Sequence, residues 1–259
     1  MQFSEIVNLD KFPITDLDFQ KSCKSMLDKN GALNLEKFLQ PAAIKEIREE
    51  GIKNQHLAHY VKNDHNVYLM ANDPNYPVSH PRNRPISSSK GCIQDDQIPQ
   101  NSPLHTLYDS EVFKNFLSYV LGEEALYEFA DSLSSINLHF ASKGQELGWH
   151  FDNSSFATTL LIQKPEDGGV FEYVENVRDA IGGEMNYTAV DRILNNTTKP
   201  KKFNLPEGTL ALFRGQNALH RVTPTEGERT RILAVFAYNS KPGIAISPET
   251  SMIFYGRIG

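Results

Sequence analysis

From Ser134 onward the chain alternates apolar and polar residues in short runs bounded by turn residues, the period-two signature of half-buried strands. The runs cover 135–141, 148–152, 156–163, 169–175, 209–213, 219–223 and 230–238. Breakers lie between most of them: Lys143-Gly144, Pro165 to Gly168, Pro206 to Gly208, Arg214-Gly215 and Glu226 to Glu228. Several short strands at this spacing predict a double-stranded β-helix, a jelly-roll or cupin-like barrel. Before Ser134 the period lengthens. Residues 16–29 read as a surface helix, ended by Asn30-Gly31 because both tolerate a left-handed cap. Residues 32–35 fit a short strand, and 41–50 a second helix with Pro41 in its first turn. Leu107, Val112, Phe116 and Val120 recur near helical spacing within 104–130. The stretch 72–103, rich in proline, serine, asparagine and aspartate, reads mostly as loop. The polar segment 178–202 reads as a partly helical insertion crossing the sheet. The expected architecture is an α+β, mainly β, single domain over 1–259. A helical buttress and proline-rich loop (1–133) support the β-helix core (134–259).

Composition adds size and excludes some partners. Hydrophobic residues make up 39% and aromatics 10% of 259 residues, enough for a sizeable core. A net charge of −6 and a pI near 5.8 leave no basic face for nucleic acid. Apolar runs such as Ile232 to Tyr238 are far shorter than a membrane span. Met1 to Glu5 lacks the basic region and apolar stretch of a secretory signal. Cys23 and Cys92 show no metal-type pairing. A reduced, cytoplasmic protein acting on a small molecule, without nucleic acid or membrane partners, is the expectation.

The candidate chemistry lies within the β-patterned half. His150 and Asp152 sit two apart, so an extended strand points both to one side. His220 comes from a run distant in sequence. Two imidazoles and one carboxylate are the facial triad that holds non-haem Fe(II) with open positions. Arg231 heads a stripe with Leu233, Val235 and Ala237. A buried arginine there needs an anion, and its planar fork suits the far carboxylate of a 2-oxo acid cosubstrate. Arg229 has the same parity and is the rival, although its nearby Glu226-Gly227-Glu228 turn favours a solvated role. Thr209 or Thr230 could donate to the same carboxylate, and Asn137 could reach the cosubstrate. His80 and His139 are assigned no metal.

Gly148 to Asn153, the Asp167 to Tyr173 strand, Leu219 to Val222 and Arg231 together resemble Fe(II)/2-oxoglutarate-dependent oxygenases. More narrowly, the chain is similar to the group of free-lysine radical halogenases and their hydroxylase relatives, including the helical N-terminal half and the Tyr255-Gly256-Arg257 ending. In that group the halogenases carry a small residue in place of the metal carboxylate, leaving room for chloride. Asp152 fills that place here, so the resemblance implies hydroxylation using Fe(II), 2-oxoglutarate and O₂. It also implies a free amino acid substrate, L-lysine or ornithine foremost. Such a ligand needs a cation for its carboxylate, with Arg82 or Arg84 as candidates. It needs acids for its amines, with Glu128, Asp131 and Glu146 available. Asn153 beside the metal motif, and Tyr255 and Arg257 at the C-terminus, are further contact candidates. An oxygenase of peptide side chains and a non-catalytic metal-binding module remain as alternatives.

Overall fold

In the computed structural model, which describes residues 1–259, seven helices fall at α1 (Phe3–Ile6), α2 (Leu17–Asn30), α3 (Pro41–Asn54), α4 (Pro103–Tyr108), α5 (Glu111–Leu121), α6 (Tyr187–Leu194) and α7 (Pro248–Tyr255). Local chemistry sets their ends. Asp16 caps α2 by accepting the Phe19 N–H at 2.8 Å, and Gly31 terminates it at φ 66°. The second expected helix runs on through Gly51. A Cβ there would meet Leu138 Cδ2 at 3.0 Å, so the glycine serves close helix–sheet packing instead of a stop. The pattern over 104–130 divides into α4 and α5, where the Ser110 side chain caps the second helix.

Thirteen strands follow in chain order: β1 (Ala32–Leu35), β2 (His59–His65), β3 (Ile86–Ile93), β4 (Ile136–Ala141), β5 (Leu147–His150), β6 (Ala157–Gln163), β7 (Asp167–Gly168), β8 (Phe171–Val174), β9 (Lys201–Phe203), β10 (Leu210–Phe213), β11 (Leu219–Val222), β12 (Thr225–Glu226) and β13 (Arg231–Phe236). They form a seven-stranded sheet in the order β1-β10-β6-β13-β4-β3-β2, a four-stranded sheet β5-β11-β8-β9 and the pair β12-β7. The expected closed barrel, jelly-roll or cupin-like, is not formed. The larger sheet ends on β1 and β2 and the smaller on β5 and β9, so no ladder returns on itself. Alternation reports a two-sided strand and is the same in open and closed sheets. Closure depends on tilt and stagger, which alternation does not encode. The fold is mixed α+β with antiparallel sheets.

Five strands, β2, β3, β7, β9 and β12, lay outside the expected set. β3 occupies part of the proline-rich stretch, and its Ser87-Ser88-Ser89-Lys90 run carries no apolar alternation. Pairing with β2 on one side and β4 on the other fixes it as a strand. The insertion 178–202 is helical only at α6.

The two faces of the larger sheet differ in what they meet. Ile232, Ala234 and Phe236 of β13 are buried with Ile136, Leu138 and Phe140 of β4 in one core, together with Ala43 and Ile47 of α3 and Phe113 and Phe116 of α5. The helices therefore cover one face of an open sheet. Arg231, Leu233 and Val235 alternate onto the other face and are only half-buried. That second face looks toward the smaller sheet. Phe213 of β10 lies 4.9 Å from the ring of Phe171 on β8, and 4.9 Å from the His220 ring on β11.

Candidate active site

His150 and His220 are directly opposed in the β5–β11 ladder, which puts both rings on one side of the smaller sheet with centroids 4.1 Å apart. Each ring is oriented by its own strand. His150 Nδ1 lies 2.8 Å from the Gly148 carbonyl, and His220 Nδ1 lies 2.9 Å from the Ala218 carbonyl. An Nδ1–H donated to a carbonyl leaves the lone pair on Nε2. Both Nε2 atoms face Asp152 Oδ1, at 3.5 Å from His150 and 3.4 Å from His220. Asp152 lies just past the end of β5, so a turn aims it and not strand parity alone. The Asp152 N–H donates to the Gly215 carbonyl at 3.1 Å.

This donor set suits a divalent cation. One atom from each residue lies within 4.8 Å of the others. Asp152 Oδ2 is buried and has no hydrogen-bond partner. A buried carboxylate oxygen with no partner is costly unless a positive charge sits beside it. Burial pushes the Asp152 carboxyl up, but the neighbouring His220 and His150 rings outweigh it and hold its pKa well below the carboxylate range. Burial, reinforced by His220, pulls His150 down. Asp152 is then a carboxylate and His150 a neutral imidazole, the forms a metal requires.

Two residues outside the sequence expectations shape this site. A Cβ on Gly215 would overlap the Asp152 carboxylate, so only glycine leaves room for it. Arg178 donates through Nε to the Gln216 carbonyl at 2.7 Å, and its guanidinium lies 4.2 Å from the Phe151 ring. It thereby ties the Asp152 turn to the Gly215 turn. Arg214-Gly215 was readable only as a breaker, and nothing in the periodicity marks Arg178.

Arg231 makes no ion pair or hydrogen bond, and burial draws its pKa down to about 10. Gly169 packs against its stem. The rival Arg229 is exposed and donates to the Pro165 carbonyl at 3.3 Å. Thr230 Oγ1 is 3.1 Å from Ser142 Oγ, and Thr209 Oγ1 donates to the Pro206 carbonyl at 2.7 Å. Asn137 shares the Arg231 face, but its Oδ1 accepts the Tyr255 hydroxyl at 2.9 Å and its amide donates to the Leu133 carbonyl at 2.9 Å. Tyr255 is thus pinned to the sheet, and Arg257 is tied to Asp96 at 2.5 Å.

The structure does not gather the remaining candidates around the triad. Arg82 donates to the Ala71 carbonyl at 2.9 Å and Arg84 to Asn195 Oδ1 at 2.8 Å. Glu128 is exposed, 4.0 Å from Lys114, and Asp131 accepts the N–H groups of Leu133, Ser134 and Ile246. Glu146 is half-buried, its backbone paired with Ser89 and its carboxylate without a hydrogen-bond partner, and Asn153 is exposed beside Asp152. His80 stacks on Tyr76 with centroids 4.2 Å apart, and His139 stands outside the triad. No helix is long and apolar enough to cross a membrane.

The family model described as Halogenase D matches residues 16–252. No curated protein matches the sequence. Among solved structures, an oxidoreductase of the 2OG-Fe(II) oxygenase family from Burkholderia pseudomallei superposes with a TM-score of 0.55 at 13% identity, over 87% of this chain and 92% of that one. The non-haem α-ketoglutarate-dependent epimerase SnoN of nogalamycin biosynthesis gives a TM-score of 0.60 at 11% identity, over 86% of this chain and 84% of its own. A Pseudomonas putida prolyl-4-hydroxylase gives 0.51 at 14% identity, over 83% and 96%. These likenesses show a shared fold that carries different reactions in different proteins.

Proposed function

Because the chain belongs to the Halogenase D family and is a non-haem Fe(II)/2-oxoglutarate-dependent dioxygenase, we propose that it hydroxylates an aliphatic C–H of a free amino acid, L-lysine or ornithine foremost. Residues 1–259 act as one catalytic domain in this reading. The observation that supports hydroxylation is the Asp152 carboxylate standing between the two imidazoles. A carboxylate there occupies the position that the halogenating relatives leave open.

His150, Asp152 and His220 would hold Fe(II), and Arg231 would take the far carboxylate of 2-oxoglutarate. Iron, cosubstrate and O₂ supply the oxidising power to replace a hydrogen on an unactivated carbon with hydroxyl. The protein's part is placement. The carbonyls of Gly148 and Ala218 fix the imidazole tautomers. Arg178 and Gly215 fix the carboxylate. Asn137, through Tyr255, fastens α7 over the neighbouring wall. Asn153, exposed beside Asp152, and Glu146, whose carboxylate has no hydrogen-bond partner, are the candidates to meet the amines of the substrate.

Incubation with Fe(II), 2-oxoglutarate, ascorbate and each free amino acid tests this reading. Succinate release coupled to a product heavier by one oxygen atom, greatest with lysine or ornithine, is expected. Turnover with peptides and none with free amino acids would overturn the substrate.

A further inference from the structure

The face of the larger sheet turned toward the smaller sheet carries three nitrogen bases in a row on neighbouring strands. They are Lys90 on β3, His139 on β4 and Arg231 on β13. Cys92 is directly opposite His139 on one side and Leu233 on the other. Lys90 and Arg231 lie two residues from those partners, so all three side chains leave the sheet on one face. Lys90 Nζ is 3.3 Å from each ring nitrogen of His139. Beyond it lies Phe254 of α7, with its ring centroid 5.9 Å away.

Neither Lys90 nor Arg231 is paired with a carboxylate. Burial draws the Lys90 ammonium down, opposed by Cys92 and by the Asp152 carboxylate, so the lysine is within electrostatic reach of the triad. Burial, then Lys90 and Arg231, hold His139 well below 6.5. The row therefore sets Lys90 and Arg231, neither with a counter-ion, on either side of a neutral imidazole. Desolvated cations without counter-ions are costly, and a site that keeps two of them is suited to two anionic groups.

The cosubstrate accounts for one. Its far carboxylate would go to Arg231, which leaves Lys90 unmatched. Arg84 already donates to Asn195, and Arg82, whose Nη2 donates to Ala71 while its Nη1 has no partner, lies in the loop before β3 and outside this row. We infer that Lys90 is the receptor for the carboxylate of the substrate, with neutral His139 completing the hydrogen-bonding pair beside it. This inference rests on the free-amino-acid reading above. Lys90 is a binding residue in this scheme, and it selects substrates with an unblocked carboxylate.

Calorimetric titration of the Mn(II)-loaded protein tests it, first with 2-oxoglutarate and then with L-lysine, L-ornithine and their carboxamides. The wild type should bind the free acids and not the carboxamides. Lys90→Met should weaken the free acids by about 30-fold or more, the scale for unpairing a charged hydrogen bond, and leave 2-oxoglutarate affinity within about threefold. Lys90→Arg should restore most of the loss. Intact 2-oxoglutarate binding shows that the variant is folded. Loss of 2-oxoglutarate affinity instead would assign Lys90 to the cosubstrate and overturn the inference. Amino-acid binding that is unchanged in Lys90→Met would overturn it while leaving the amino-acid reading in place. Wild-type protein that binds no member of the panel would end both.

Discussion

Asp152 stands among imidazoles on the smaller sheet's side, whereas Lys90 and Arg231 stand without an acid on the larger sheet. The first wall converges lone pairs on a point and suits a cation. The second spreads positive charge along three strands and suits anions. Lys90 and Asp152 influence each other but form no ion pair. Direct pairing would have neutralised both and closed both sites. Keeping them apart leaves each wall unbalanced, and the missing charges are those of a metal and of carboxylate ligands.

The largest effects should come from removing one charge on either wall. Asp152→Gly should abolish hydroxylation and lower metal affinity by at least about 100-fold, beyond what changes around a ligand cause. Arg231→Met should raise the KM for 2-oxoglutarate by about 30-fold or more, with metal affinity little changed. Metal titration and succinate assays separate the two. If both variants lost metal alike, the walls would not be functionally distinct.

A second contrast, between the two faces of β13, should appear in stability. Phe236→Ala, on the helix-covered face, should cost about 3–5 kcal/mol. Val235→Ala, half-buried on the cavity face, should cost less than about 1.5 kcal/mol, since little apolar area leaves contact. Urea unfolding measures both, and equal costs would show that the core is not confined to one face.

The smallest effect concerns pH. The folded protein holds His139 well below 6.5, so below that value the unfolded chain takes up a proton that the folded chain refuses. Its contribution is present at higher pH and lost on acidification. The melting temperature should therefore fall less in His139→Asn than in wild type between about pH 7 and about pH 5. An identical fall in both would show that His139 is not held neutral.

Much of this was legible because strand parity and ligand chemistry are both local. His150, Asp152 and His220 could be read from type and spacing, and the seven runs after Ser134 all became strands. Parity could not choose between Arg229 and Arg231. Burial separates them, and burial depends on partners far along the chain. β3 escaped because a Ser-Ser-Ser-Lys run is a strand only when neighbours pair with it, and Lys90 escaped with it. Openness of the sheets was illegible because it is a property of tilt and stagger. The acidic residues proposed for amines were chosen by type alone, and two of the three are engaged elsewhere.

Gly215 and Asp152 occupy one volume between them. Any bulkier residue at 215 demands a shorter one at 152, so a side chain can be added at 215 only once the carboxylate is shortened. Conversion of this centre to one with an open coordination site is then a two-residue design problem. Shrinking the carboxylate creates a void, and the opposite turn is where it can be refilled.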